Sequence, residues 1–124
     1  MKVKISTLLK TDECNSIPYQ CIGMLKDNQL LFYENKVRVT ITMQGDSVFM
    51  KRVHPDYVLS MQFTNSLTNE GIYDIKCDSV QMVVEVFTSV LEVKNGSLHV
   101  EYNLVLGGEN QGMFIYDITY EVIE

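Results

Sequence analysis

The chain has 124 residues, 46% of them hydrophobic and 21% charged, which suits one domain over residues 1–124 with one core and excludes a disordered polymer. The net charge of −6, with Lys and Arg scattered along the chain, weighs against a nucleic-acid phosphate backbone as partner. No apolar run approaches the ~20 residues that a membrane-spanning helix needs, so no membrane partner is expected.

In chain order, Met1 to Ser6 already alternates like a strand and has neither the apolar core nor the cleavage site of a signal peptide, so the expected location is the cytoplasm. Lys2 to Leu9 reads as the first strand and Thr11 to Ser16 as a polar loop. Ile17 to Lys26 is a second strand, with Pro18 at its start or on an edge because proline donates no ladder hydrogen bond. Asp27-Asn28 turns the chain into Gln29 to Tyr33, and Glu34-Asn35-Lys36 turns it again. Val37, Val39, Ile41 and Met43 then alternate with Arg38, Thr40 and Thr42, the pattern of a half-buried strand. Gln44-Gly45-Asp46 leads to Ser47 to Val53, and His54-Pro55-Asp56 leads to Tyr57 to Thr64, where Tyr57, Leu59, Met61 and Phe63 share a face.

Thr68 to Lys76 follows, and then a long strand from Ser79 to Val93. Its apolar positions change parity near Phe87, which requires a β-bulge if the faces are to be kept. Asn95-Gly96 is a strong hairpin signal. Beyond it Leu98, Val100, Tyr102, Leu104 and Leu106 line one face. The Gly-rich break Gly107 to Gly112 separates them from a strand carrying Phe114, Tyr116, Ile118, Tyr120 and Val122 on its apolar face.

No segment has a helical period. So many consecutive hairpins expose neither edges nor an apolar face if they close on themselves. The expected fold is all-β: a single antiparallel up-and-down β-barrel of about 8–10 strands in meander order. Shared parity places Val39, Ile41, Leu59, Met61, Phe63, Leu98, Val100, Leu104, Phe114, Ile118 and Val122 inside.

Three stretches carry a family resemblance. They are Ser47-Val48-Phe49-Met50-Lys51-Arg52; Leu59-Ser60-Met61-Gln62-Phe63 followed by Glu70-Gly71-Ile72-Tyr73; and Leu98-His99-Val100-Glu101-Tyr102-Asn103-Leu104-Val105-Leu106-Gly107-Gly108. Together, across residues 36–123, they make the chain similar to the YwiB-like family of uncharacterised bacterial proteins, domains of unknown function with a calycin-like, lipocalin-type barrel. The resemblance implies a fold and brings no activity, substrate or catalytic residue. Where the family usually has a Gly in a tight turn after the Arg, this chain has Val53-His54-Pro55-Asp56.

The residues offer little to catalysis. Cys14, Cys21 and Cys77 are odd in number, lack CxxC spacing, and read as reduced thiols rather than a disulfide framework. Together with His54 and His99 they complete no zinc pattern, so no metal and no cofactor are expected. His99 alternates with Leu98 and Val100 and should face outward with Glu101. The acids read as solvated surface groups, and there is no P-loop, GxGxxG or HExxH. No catalytic residue and no enzyme are expected.

The interior is the more informative place. Arg52 shares a face with Val48 and Met50, and Tyr73, Tyr102 and Tyr116 share faces with aliphatic neighbours. A charge inside a barrel must be paired. Either Arg52 caps the barrel end on carbonyls or a carboxylate, or Arg52, Tyr73, Tyr102 and Tyr116 hold a small anionic or amphipathic ligand. The alternative is a filled barrel acting through its outer surface or as an oligomer. For that reading Leu30-Leu31-Phe32-Tyr33 offers a homodimer face, or else a strand pair buried on both sides.

Overall fold

The computed structural model describes residues 1–12 and 16–123. Ten strands follow one another: β1 (Lys2–Thr11), β2 (Ser16–Lys26), β3 (Gln29–Glu34), β4 (Val37–Gln44), β5 (Ser47–His54), β6 (Tyr57–Thr64), β7 (Thr68–Ile75), β8 (Val80–Lys94), β9 (Ser97–Leu106) and β10 (Glu109–Val122). Each pairs antiparallel with its chain neighbours, and β1 pairs with β10 to close the barrel. Among the described residues no helix is long and apolar enough to cross a membrane. Glu13 and Cys14 lie outside the described residues, so the reading of Cys14 is not addressed by the structure.

The period-two pattern places the core as expected over most of its length. Val39, Ile41, Met61, Phe63, Leu98, Val100 and Ile118 are buried; Leu59, Leu104 and Phe114 are half-buried and pack against them. Val122 departs from expectation. It pairs with Val3 at the last rung of the β1–β10 ladder, where the barrel ends, and is 51% exposed. Its parity is inward, but no neighbouring wall is left to cover it.

The β8 parity change is a bulge. Pairing with β9 shifts between Thr88 and Val90, so Val84, Val86 and Thr88 face in before it, and Leu91, paired with Val100, packs on the core after it. The Ser89 hydroxyl at the bulge donates to the Glu101 carbonyl at 3.1 Å. The Gly-rich break is shorter than the sequence implies. Only Gly107-Gly108 turns, both at positive φ (59° and 82°) as a mirror-image hairpin turn requires. β10 then starts at Glu109 and carries a second irregularity between Asn110 and Met113.

Two places depart from a regular ladder. β2 pairs with β3 only from Met24 to Lys26, so the stretch from Ser16 to Gly23 has no backbone partner on that side among the described residues. Pro18 sits in this seam, an edge position as expected, and pairs only toward β1. The second is β6–β7, where pairing stops at Ser60–Ile72. There a Cβ on Gly71 would lie 2.1 Å from the Ser60 carbonyl oxygen, so only glycine lets the two backbones meet.

Gly71→Ala is therefore expected to destabilise the barrel by more than about 2 kcal/mol, since backbone rather than a side chain must move. Ile118→Ala should cost about 2–5 kcal/mol. Leu104→Ala, at a half-buried position beside a cavity, should cost clearly less than Ile118→Ala. Chemical denaturation of the three variants measures all of these.

Candidate functional site

The interior is divided along its length. From the end formed by the β3–β4 and β9–β10 termini farthest from the Gly107 turn, Val3, Ile5, Leu30, Phe32, Ile41, Phe63, Leu98 and Ile118 fill the barrel completely. An aromatic series rises from this plug. The Phe63 and Tyr102 ring centroids are 4.8 Å apart, and Tyr102 stacks on Phe114 at 5.4 Å. Beyond Tyr102 the interior is not filled.

Three adjoining cavities occupy that end. One of about 160 Å³ lies over Met50, Met61 and Tyr102 and is lined also by Arg52 and Tyr116. It shares Leu59, Leu104 and Phe114 with a mouth cavity of about 350 Å³ lined by Tyr57, Tyr73, Val84, Leu106 and Gln111. It shares Leu9 and Arg52 with a third, of about 420 Å³, lined by Ile17, Tyr19, Glu34, Asn35, Lys36, Val37 and His54. The third lies at the β2–β3 seam. Because the strands part there, the Asn35 amide donates to the Tyr19 hydroxyl at 3.1 Å, a side-chain bridge where a ladder bond would otherwise run.

Arg52 is on β5, inward and half-buried, at the junction of two of these cavities. Its Nη2 donates to Glu34 Oε1 at 2.7 Å. Glu34 Oε2 accepts from the Tyr116 hydroxyl at 2.9 Å and from Thr7 Oγ1 at 3.0 Å. Four strands, β1, β3, β5 and β10, thus meet on one carboxylate. Burial alone would raise the Glu34 pKa. The hydrogen bond and charge of Arg52, with the Tyr116 and Thr7 donors, outweigh burial and hold it below its ordinary value. Burial would likewise lower that of Arg52, and Glu34 raises it above the ordinary guanidinium range. The pair is fully charged at neutral pH.

Tyr102 is pushed up to about 12, first by burial, with Glu34 raising and Arg52 lowering it. Tyr116 is pushed far above the ordinary phenol range, chiefly by burial and then by the Glu34 charge. Both phenols are neutral donors.

All four candidate residues lie at the same end. Arg52, Tyr102 and Tyr116 line the central cavity and Tyr73 the mouth. Tyr116 is committed to Glu34. The hydroxyls of Tyr73 and Tyr102 bond to no group among the described residues. Of the two structural roles open to Arg52, carbonyls or a carboxylate, the structure has the carboxylate, and its owner was not singled out. Glu34 reads as a turn residue in sequence, yet it closes β3 in register with Leu30 and Phe32, and that parity is the signal that points it inward. Tyr57, Lys36 and His54 also join the site. No spacing marks the last two, which arrive from the turn after β3 and the end of β5.

Elsewhere, among the described residues, the structure assembles nothing nucleophilic. Cys77 is exposed and Cys21 is half-buried, with its thiol pushed up by burial and then by the Glu34 charge, the reverse of what activates a cysteine. His54 stacks on Tyr57 at 4.8 Å and its Nδ1 accepts from the Asp56 amide at 3.1 Å. His99 lies on the outer wall as expected. It bonds through Nδ1 to Asp117 and through Nε2 to Glu101 at 2.8 Å. Those two hydrogen bonds raise its pKa above 6.5, against the opposing effect of burial. No group of three or more His, Cys, Asp or Glu able to hold a metal occurs among the described residues.

Residues 3–118 match the model of a family described as a domain of unknown function, DUF1934. The chain belongs to that family. The matched span contains Thr7, Glu34, Arg52, Tyr73, Tyr102 and Tyr116. No curated protein matches the chain. The crystal structure of the ywiB protein from Bacillus subtilis is similar, with a TM-score of 0.69 and 13% identity over 99% of this chain and 91% of that one, a likeness that speaks to the fold alone.

Two outcomes follow from the charged groups. Glu34→Gln should cost about 1–3 kcal/mol at neutral pH, because Arg52 is left half-buried without its counter-charge. A lowered folded-state pKa contributes stability that is present above the unfolded value, 4.5, and is lost as pH falls through the folded one. The gap between wild type and Glu34→Gln, measured by denaturation across pH, should therefore narrow on acidification below 4.5. For His99 the sign reverses: its contribution is full below 6.5 and is lost as pH rises through the raised folded value. Its NMR titration midpoint should lie above 6.5 and fall in Asp117→Asn.

Proposed function

We propose that this protein is a non-enzymatic barrel that binds a small amphipathic anion at its open end. The observation that carries the reading is the position of Arg52, where the central cavity and the seam cavity meet. On one side lie the apolar and aromatic walls of the mouth, Leu59, Leu104, Leu106, Phe114, Tyr57 and Tyr73. On the other, Lys36 and His54 stand with Arg52 around the seam cavity, where Glu34 is the one carboxylate among the lining groups.

Glu34 takes one of the five N–H donors of the guanidinium. The remaining donors, with Lys36, favour a carboxylate or phosphate head. The free hydroxyls of Tyr73 and Tyr102 supply the few polar groups that orient a ligand in an otherwise apolar pocket. An apolar body of modest size fits the cavities of about 350 and 160 Å³. The resemblance to lipocalin-type barrels points the same way, as an analogy of fold. The competing reading, a barrel acting only through its outer surface, suits the plugged half and leaves the open half without a role. The cytoplasm remains the proposed location.

The test is a thermal-shift series with a medium-chain fatty acid, its matched alcohol and its matched alkylamine. The acid should stabilise most, by about 2.7 kcal/mol at a hundredfold excess over Kd, and the amine least. Lys36→Gln and Leu106→Glu change exposed or half-buried lining groups without touching the Glu34–Arg52 pair. The first should weaken the acid selectively and the second should abolish binding of acid and alcohol alike. Equal shifts in wild type and both variants would remove the ligand from this end of the barrel.

A further inference from the structure

The outer wall carries a charge division that the net value conceals. Residues 1–55 hold eight of the ten basic residues and five of the sixteen acidic ones; residues 56–124 hold two and eleven. Because strand order follows chain order, this becomes a division in space. The walls of β1–β5 are basic and those of β6–β10 strongly acidic. Among the described residues, Arg52 is the one Lys or Arg in an ion pair, so the lysines and arginines of the outer wall are not neutralised within the molecule, and on the acidic wall only Glu101 and Asp117 have a partner, His99.

Each wall also exposes apolar side chains. On the basic wall, Met24 and Leu31 are cross-strand partners, 50% and 38% exposed, and their row continues through Thr40 to Lys51. Tyr33 lies opposite Arg38 in the next row. On the acidic wall, Ile72 lies opposite Val83, and Phe87 is exposed one row beyond Glu85. Between these rows Glu70 and Glu85 are direct cross-strand partners, both exposed. Like charges in that position repel and destabilise the sheet unless a cation lies over them.

We propose that the basic wall of β2–β5 in one copy docks on the acidic wall of β7–β8 in the next, with Arg38 and Lys51 facing the Glu70–Glu85 pair and the two apolar rows packed between them. Charge complementarity selects a second copy as the occupant: the chain itself supplies both a basic apolar surface and an acidic apolar one. The two walls differ, so the contact is heterologous. Their centres lie about four strands apart in a ring of ten, with β6 between their nearer edges, so they face different directions. A copy engaged on one wall therefore leaves its other wall free, and assembly extends as a chain of barrels rather than stopping at a two-fold dimer.

Sedimentation velocity on the full protein tests this. In salt of about 20 mM the average mass should rise with concentration to at least twice 14.2 kDa, and in about 1 M salt, where the Debye length is about 3 Å, it should return to 14.2 kDa. Arg38→Gln with Lys51→Gln disables one wall, and Glu70→Gln with Glu85→Gln the other. Surface changes of this kind leave the fold intact, which matching melting curves would verify. Each double variant should remain a monomer alone, and an equimolar mixture should form a dimer and nothing longer, since one intact wall remains on each. A wild type that stays at 14.2 kDa at every concentration in low salt overturns the proposal. So does a mixture that remains monomeric while the wild type assembles. A monomeric wild type retained on heparin through Arg38 and Lys51 would assign the basic wall to a different acidic partner, and would overturn it equally.

Discussion

The constraint behind this molecule is volume. Eight strands enclose an interior just wide enough for side chains to fill, and the diameter of a barrel grows with strand number. Ten strands enclose more space than the same kind of plug can occupy. Here Phe32, Phe63 and a ring of Leu, Ile and Val pack together without exposure toward one end. The surplus space is left at the other end. The position of the cavities, the solvent access of Arg52 and the half-exposure of Leu59, Leu104 and Phe114 all follow from where the plug stops.

A charged pair at that boundary serves both halves. Taking a carboxylate and a guanidinium partly out of water is costly, and the cost is met only when their hydrogen bonds are supplied. Glu34 is supplied by Thr7, Arg52 and Tyr116, which come from three other strands. Such a junction fixes the relative heights of β1, β3, β5 and β10 in a region where β2 and β3 have no ladder between them. It is also a polar floor that a ligand head group meets without entering the apolar plug.

The fold was legible because a barrel wall obeys one rule, inward and outward in strict alternation, and the chain keeps to it from Val37 to Met43 and from Leu98 to Leu106. The bulge at Thr88 was legible for the same reason, as a break in that rule. What failed did so at the ends of strands. Val122 has the right parity and no wall to meet, and the span from Glu109 to Gly112 looks like loop because its polar residues and glycine hide a strand that pairs at Glu109 and Asn110 and resumes at Met113 after an irregularity. The site was half legible. Arg52 and the tyrosines stand out as polar groups on apolar faces. Glu34 does not, because its neighbours Asn35 and Lys36 turn the chain and disguise it as part of the turn. Lys36 and His54 reach the site because the β3–β4 turn and the end of β5 come together at the β2–β3 seam, an arrangement not written in any local window. The outer charge division is visible in the chain alone, but it means little until chain order is known to be spatial order.

Closure also has a consequence for how the protein comes to exist. Every pairing but one joins consecutive strands, so hairpins can form as the chain lengthens. The exception joins Val3 to Val122, across almost the entire chain, and closing a loop of that length costs about 4 kcal/mol in chain entropy. On a ribosome β1 emerges first and its second partner last, an interval of roughly ten seconds at ordinary synthesis rates. Throughout that interval β1 presents an unpaired backbone edge to every other nascent chain. Its outward positions carry Lys2, Lys4 and Lys10, and charge on an exposed edge is what keeps strands from pairing with the wrong neighbour. In the finished barrel these lysines guard an edge that no longer exists; during synthesis they keep it for β10.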